Sequence, residues 1–151
     1  MHNAFISYSS KDEEIAMQLH GVLKMAGIDT FMAALSIAPG ANWAEAIFDN
    51  LAKANWVFFL ATKNSCESQA VQQELGASLA SKKSIIPILV DIEAEELPGW
   101  VDRYQAIDIH KAPEVLRSTI ENISEKIKVD KFWSGVVIGA LIIFFIMAVK
   151  K

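Results

Sequence analysis

The chain has 151 residues and a formal net charge of −4, and 52% of its residues are hydrophobic. This length suits one domain with a substantial core and is short for two. Residues 1–124 carry nine Lys and Arg against sixteen Asp and Glu, and such an acidic body argues against a non-specific nucleic-acid binder. The single cysteine, Cys66, excludes internal disulfides and fits a reducing compartment.

The apolar share is high for a small soluble domain, and the excess comes from 132–149, eighteen residues without a charge. As a helix they would extend about 27 Å, close to the hydrocarbon thickness of a bilayer. Three lysines lie shortly before this stretch and two follow it, as at the ends of membrane spans. We therefore predict a domain at 1–128 and a juxtamembrane linker with a transmembrane tail anchor at 129–151. The alternative is a buried C-terminal core helix.

The first ten residues lack a basic segment followed by an apolar one, so no cleaved signal peptide is predicted. A head attached by a terminal anchor and made without a signal is expected to face the cytoplasm. We therefore expect a single-pass protein of the cell inner membrane, with its domain on the cytoplasmic side.

Apolar runs alternate with helical spacings along the domain. Five strands are predicted, at 4–8, 29–32, 56–61, 84–90 and 105–109. Strands that alternate with helices at this spacing predict a flavodoxin-like open five-stranded parallel sheet with helices on both faces. Pro87 indicates an edge or a bulge in the fourth strand.

Glu74 lies on a predicted helix. Val71, Leu75 and Leu79 recur at i, i+4 and i+8 and form one apolar stripe. Glu74 lies about 100° round the helix axis from that stripe, at the margin of the buried face. A carboxyl there is either an ordinary surface charge or a functional group tuned by partial burial.

Other kinds of site lack their patterns. The glycine-rich motifs of dinucleotide and nucleoside triphosphate grips are absent, and so is the G-x-S-x-G elbow of serine hydrolases. The three histidines are scattered and suggest no metal site. A phospho-receiver domain would need acidic residues where the first and third strands end, but the sequence there reads Tyr8-Ser9 and Ala61-Thr62.

Five short motifs follow one another along the chain: Phe5-Ile6-Ser7-Tyr8-Ser9, Gly27-Ile28-x-x-Phe31, Ile37-x-Pro39-Gly40-x-x-Trp43, Ser68-x-x-Val71-x-x-Glu74-Leu75 and Ile86-Pro87-Ile88. In this order and spacing they resemble the Toll/interleukin receptor (TIR) domain, most of all its prokaryotic branch. The resemblance covers about residues 3–128, which is everything except the predicted anchor.

The resemblance implies an enzyme that cleaves the nicotinamide–ribose bond of NAD+, with Glu74 as its catalytic residue. NAD+ would be the substrate, and no cofactor is expected. Tyr8 and Ser9 would line the nucleotide pocket, and Phe31 would lie near the nicotinamide end.

Trp43 and Ala70 complete the substrate-binding residues that the resemblance implies. Relatives often carry an aromatic residue, frequently tryptophan, where this chain has Ala70, and its loss would weaken binding by about 1 kcal/mol. Ile37, Pro39 and Gly40 correspond to the loop through which neighbouring TIR domains stack. The resemblance therefore implies self-association.

Departure of nicotinamide leaves an oxocarbenium-like ribose, which a carboxylate beside C1′ would stabilise. Attack by water would give ADP-ribose, and attack by the adenine or ribose of the same molecule would give a cyclic isomer. We predict a role in antiphage defence, by NAD+ depletion or by an ADP-ribose-derived signal to a partner effector. The rival is a non-catalytic scaffold that recruits other TIR proteins at the membrane, for which Glu74 is dispensable and 37–43 is essential.

Overall fold

The computed structural model describes residues 3–32, 42–99, 105–127 and 135–149. Its strands are β1 (Ala4–Ser7), β2 (Thr30–Phe31), β3 (Trp56–Ala61), β4 (Ser84–Leu89) and β5 (Ile107–Asp108). Its helices are α1 (Glu13–Met25), α2 (Trp43–Lys53), α3 (Lys63–Glu67), α4 (Gln69–Ala80), α5 (Pro113–Lys126) and α6 (Gly135–Ala148). Two 3₁₀ turns occur at Ser10–Asp12 and Ala94–Glu96.

The five strands form one sheet in the order β2-β1-β3-β4-β5, and every pair of neighbours is parallel. This is the flavodoxin-like order, so the predicted sheet is confirmed. The central strand β3 is apolar throughout and nearly all buried, as a strand covered on both faces must be. The strand order reverses between β1 and β3, and in such sheets the ligand crevice opens where these two strands end.

Side chains alternate along each strand and divide the core in two. Ile6, Phe58 and Leu60 point to the side covered by α1, α5 and α6. Phe5 and Phe59 point to the other side, where α2 and α4 pack. The helix that carries Glu74 therefore lies on the second side.

Short polar residues set the starts of the helices on this second side. The Asn42 side chain accepts a hydrogen bond from the Glu45 amide of α2 at 3.2 Å, and the Ser68 side chain accepts one from the Val71 amide of α4 at 3.3 Å. These caps satisfy amides that have no partner within the helix. They fix where each helix begins after its loop.

Pro87 does not mark an edge strand, since β4 lies between β3 and β5. The pairing of β4 with β5 starts only at Ile88, whereas Pro87 lies opposite Phe59 of β3. Proline lacks the amide hydrogen that a strand needs when it has partners on both sides. The proline is accommodated because β5 is only two residues long.

The predicted transmembrane helix is not found: within the described residues, no helix is both long and apolar enough to cross a membrane. The described helical part of 132–149 is α6, which packs against α1 and α5. One face of α6 is buried there and the other is exposed. The buried side chains are Ile142, Phe145 and Val149, and the exposed ones are Ile143 (60%), Phe144 (70%) and Met147 (62%).

Gly139 lets α6 approach α5 closely. A Cβ atom at this position would lie 3.3 Å from Nη1 of Arg117, a contact tighter than side chains normally make. The Arg117 guanidinium also donates to Glu121 at 3.0 Å, which holds it along α5. The alternative of a buried core helix therefore fits one face of α6 only. The membrane span stays a prediction.

Candidate functional site

The end of β1, the residue after β3 and the helix α4 come together at one edge of the sheet. Ser7 is the last residue of β1, Thr62 follows β3 directly, and α4 packs against β1 on the side of Phe5. The resulting site combines Ser7, Glu74 of α4 and a hydrogen-bonded cluster around Asp12. It lies at the crossover where the strand order favours ligand binding.

Glu74 lies at the margin of the buried face of α4, as its helix position predicted. Its neighbours Val71 and Leu75 are 1% and 0% exposed, so the carboxyl is held against the apolar core. This burial raises the pKa of Glu74 to about 8, and the nearby Ser7 hydroxyl opposes part of the effect. At neutral pH the carboxyl is therefore largely protonated, and a cation brought beside it would drive its ionisation.

Ser7 is fully buried, and its hydroxyl makes no hydrogen bond of ordinary length to any described residue. The hydroxyl nevertheless lies near enough to the Glu74 carboxyl to favour its charged form. The Ser7 hydroxyl and the Glu74 carboxyl therefore lie close to each other.

Asp12 lies in a different environment a few residues further along the chain. Its carboxylate is 6% exposed and accepts a hydrogen bond from the Thr62 hydroxyl at 2.5 Å and one from the Asn64 amide at 3.0 Å. Thr62 also caps α3 by accepting from the Ser65 amide at 3.0 Å. Asp12 therefore ties the segment after β1 to the segment after β3.

No individual role was predicted from the sequence for Ser7, Asp12, Thr62 or Asn64, although Ser7 and Thr62 stand in the motif and the strand end quoted above. Thr62 and Asn64 come directly after a buried strand at the expected ligand-binding edge, and this position was the available signal. Their pairing with Asp12 joins residues 50 and 52 positions apart, which no local pattern displays.

The predicted nucleotide-pocket residues lie close to the ends of β1 and β2. Tyr8 is partly exposed and packs against the α1 and α5 side of the core, away from Glu74. Ser9 is buried and accepts a hydrogen bond from the Lys11 amide at 3.3 Å. Phe31 is 1% exposed, and its ring stacks on Phe5 with the centroids 5.2 Å apart.

The other predicted contacts are placed only in part. Trp43 is the first residue of α2, and Ala70 is exposed in the first turn of α4, one turn before Glu74. A methyl group at Ala70 gives no aromatic platform beside the carboxyl. Ile37, Pro39 and Gly40 of the predicted assembly loop lie outside the described residues.

Cys66 shows the features of an unreactive thiol. Burial is the main cause that raises its pKa, and the carboxylates of Asp91, Glu96 and Glu67 add to it, while Ser65 acts in the opposite direction. A thiol must lose its proton to act as a nucleophile or a metal ligand. In the described part of the chain, no three His, Cys, Asp or Glu side chains are grouped so that they could hold a metal ion.

Residues 4–122 match the family model of the TIR domain. The chain belongs to the TIR family. This TIR domain is 28% identical over 98 residues to the "Probable 2′ cyclic ADP-D-ribose synthase BdTIR" of Brachypodium distachyon. The match covers 64% of this chain and 44% of that protein, so the chain spans less than half of the curated relative.

Two solved structures share the fold of this TIR domain. The TIR domain of the Toll-related receptor TRR-2 from Hydra magnipapillata superposes with a TM-score of 0.71 at 24% identity, over 85% of this chain and all of that one. The TIR domains of the activated Roq1 resistosome superpose with a TM-score of 0.57 at 13% identity, over 95% of this chain and 98% of that one. At these identities the likeness shows the fold alone.

Proposed function

We propose that this TIR domain cleaves the nicotinamide–ribose bond of NAD+ and that Glu74 is the catalytic residue. The observation that carries the proposal is the partly buried Glu74 side chain at the ligand-binding edge of the sheet, with its pKa raised to about 8. The similarity to a probable cyclic ADP-ribose synthase supports the same chemistry.

The substrate's own charge explains how a carboxyl that is neutral at rest would act. The nicotinamide ring of NAD+ is a cation, and its arrival beside Glu74 favours loss of the carboxyl proton. When the C1′–N bond breaks, the bonding electron pair stays on the nicotinamide nitrogen and the positive charge moves to the ribose. The carboxylate then stabilises the oxocarbenium-like ribose.

The nucleophile that attacks C1′ decides the product. Water gives linear ADP-ribose, and a ribose hydroxyl or the adenine of the same molecule gives a cyclic isomer. Tyr8 and Ser9 are our proposed nucleotide contacts, together with Trp43 and Ala70. A nicotinamide contact by Phe31 would require its surroundings to open, because the residue is 1% exposed.

The first experiment compares NAD+ consumption by the full-length protein with that of Glu74→Gln. Glu67→Gln is the matched control, because Glu67 is an exposed glutamate on the neighbouring helix α3. Proteins would be reconstituted densely in nanodiscs with a crowding agent, and products identified by liquid chromatography and mass spectrometry. Wild type and Glu67→Gln are expected to consume NAD+, and Glu74→Gln is expected to be at least about 100-fold slower, the usual loss when such a group is removed.

The rival function is a scaffold that recruits other TIR proteins. It predicts intact NAD+ with all three proteins even when oligomers are visible, and loss of recruitment only when 37–43 is changed. Equal consumption by wild type and Glu74→Gln would remove Glu74 from the mechanism while keeping the enzyme. Product mass separates linear from cyclic ADP-ribose.

We further propose that residues 132–149 attach the domain to the cytoplasmic face of the inner membrane, where neighbouring copies assemble through 37–43. The charge-free length of the segment, its flanking lysines and the exposed apolar face of α6 support this. Confinement to a plane raises the effective concentration of copies and favours assembly. The biological role we propose is antiphage defence, by NAD+ depletion or by a product that a partner effector senses.

Flotation with vesicles that contain anionic lipid tests the attachment. Phe144→Asp keeps the packed face of α6 intact, because Phe144 is 70% exposed there, but it puts a charge into the segment that would enter the bilayer. Wild type is expected to float with the vesicles and Phe144→Asp to stay in the soluble fraction. Flotation of neither protein would leave α6 as a helix of the domain.

A further inference from the structure

We propose that Ser7 is a positioning residue whose hydroxyl holds the Glu74 carboxylate in the orientation that faces the ribose. This inference rests on the proposed function for the reaction itself. The contact between the two side chains can be tested without it.

The alternation of β1 places Ser7 on the same face of the sheet as Phe5, and α4 packs on that face. Ser7 lies opposite Phe59 of β3, at the last paired position of β1. The hydroxyl is therefore presented at the point where the strand ends beneath α4 and the crevice begins.

A buried hydroxyl without a partner is a cost to the fold, which an alanine of nearly the same size would avoid. Ser7 is 0% exposed and has no hydrogen bond of ordinary length to a described residue. The Glu74 carboxyl is the group that its presence affects. The geometry thus supplies a donor that is satisfied once Glu74 ionises and moves slightly toward it.

Charged side chains on the neighbouring elements are not placed to hold the Glu74 carboxylate. β1 and β4 carry no charged residue. Those on α2 and α3 are exposed: Glu45, Asp49, Lys53, Lys63 and Glu67. Among the described residues, burial and the Ser7 hydroxyl are the influences that set the pKa of Glu74.

The hydroxyl acts on Glu74 and takes no part in bond breaking. When the cationic substrate favours the ionised carboxylate, the Ser7 O–H donates to one carboxylate oxygen. The second oxygen is then fixed toward C1′ of the ribose. A charge-assisted hydrogen bond of this kind is stronger than one between neutral groups, so it forms with ionisation.

The test is a carbon-13 NMR titration of the Glu74 side-chain carboxyl in the full-length protein, with Glu74→Gln identifying its signal. Ser7→Ala is compared with Ser78→Ala, a matched control. Ser78 is also buried, but its hydroxyl donates to the backbone carbonyl of Glu74 at 2.8 Å and not to the side chain.

Because the Ser7 hydroxyl lowers the pKa of Glu74, its removal is expected to move the titration midpoint to higher pH. Ser78→Ala is expected to leave the midpoint unchanged, and Ser7→Cys, a similar volume with a weaker donor, is expected to give an intermediate shift. An unchanged midpoint in Ser7→Ala, or the same shift in Ser78→Ala, would overturn the proposal.

Kinetics separate this inference from the proposed function. In Ser7→Ala, kcat for NAD+ cleavage at pH 7 is expected to fall about tenfold, the size of effect expected when one hydrogen bond to a charged group is lost. KM should stay within about twofold of wild type, since the carboxylate acts mainly in the transition state, and raising the pH should restore part of kcat. If wild type cleaves no NAD+ while the midpoint still shifts, the proposed function fails and the Ser7–Glu74 contact stands.

Discussion

Asp12 and Glu74 are two carboxyl groups near the same edge of the sheet, and their surroundings differ. Asp12 accepts two side-chain hydrogen bonds, at 2.5 and 3.0 Å, from Thr62 and Asn64. Glu74 is held against apolar side chains, with Ser7 as its nearby donor and a pKa raised to about 8. The first arrangement ties Asp12 to two side chains, and the second leaves a carboxyl whose ionisation a neighbouring cation would favour.

The two carboxyl groups differ in how far neighbouring polar groups compensate their burial. Hydrogen bonds to a buried charge strengthen the tertiary structure, because the desolvated group is compensated. A buried carboxyl with little compensation costs stability, and such groups are found where chemistry needs a shifted pKa. The predictions below test each half of this contrast.

The largest effect on stability is expected from Asp12→Ala, which leaves the donors of Thr62 and Asn64 without their acceptor. We expect the free energy of unfolding to fall by about 3 kcal/mol, as when a buried charged hydrogen-bond partner is removed. Urea unfolding followed by circular dichroism measures it. Glu14→Ala, at an exposed acidic position nearby, should change stability by no more than about 0.5 kcal/mol; equal losses in both variants would contradict the structural role.

Glu74→Gln is expected to act in the opposite direction and stabilise the protein. The folded state keeps the Glu74 proton up to a pKa of about 8, whereas the unfolded chain releases it near 4.5. Wild type therefore loses stability as the pH rises between these values and levels off above them. The gain in Glu74→Gln should grow across that window to a value on the order of 2 kcal/mol.

Unfolding curves at pH 5, 6, 7 and 8 measure this difference. A constant difference between wild type and Glu74→Gln across the series would mean that Glu74 is not buried as described. Glu67→Gln, at an exposed position, is the control and should show no such trend.

A smaller loss is expected from Asn64→Ala, which removes one of the two donors to Asp12. The cost should be about 1 kcal/mol, the usual value for a single hydrogen bond. In a double-mutant cycle with Asp12→Ala, the two losses should not add, because both remove the same contact. Full additivity would show that Asn64 stabilises the fold by another route.

The smallest effect concerns Cys66. Burial raises the pKa of this thiol, as it raises the pKa of Glu74. We expect iodoacetamide to alkylate it at pH 8 at least about threefold more slowly than a cysteine in a short peptide, because less thiolate is present. Asp91→Asn removes one of the neighbouring carboxylates and should raise the rate slightly. A rate equal to that of the peptide would show that burial does not control this thiol.

Much of the fold could be predicted, because parallel strands that are covered on both faces appear in the sequence as continuous apolar runs. Trp56–Ala61 was predicted to the residue, and the other strands differ from prediction mainly at their ends. The position of Glu74 followed from the spacing of Val71 and Leu75 round the helix. Family membership followed from the order and spacing of five short motifs, which the sequence displays directly.

Other features arise from contacts between distant segments. Phe31 was predicted near the nicotinamide, but its place against Phe5 depends on how β2 pairs with β1. Pro87 was predicted at an edge or bulge, and its tolerance depends on the length of β5. The Asp12 cluster joins two loops that only the sheet brings together.

The sequence by itself determined the layers, the parallel sheet and the helix margin on which Glu74 lies, because hydrophobic periodicity is local and each element displays its own. It also determined that 132–149 is apolar on every side. Only the tertiary structure decided which polar groups meet Glu74 and which face of α6 is covered, since burial and hydrogen bonding depend on the neighbours that the fold supplies. Ser7 and Glu74 are 67 positions apart in the sequence, and the crossing of β1 under α4 makes them neighbours.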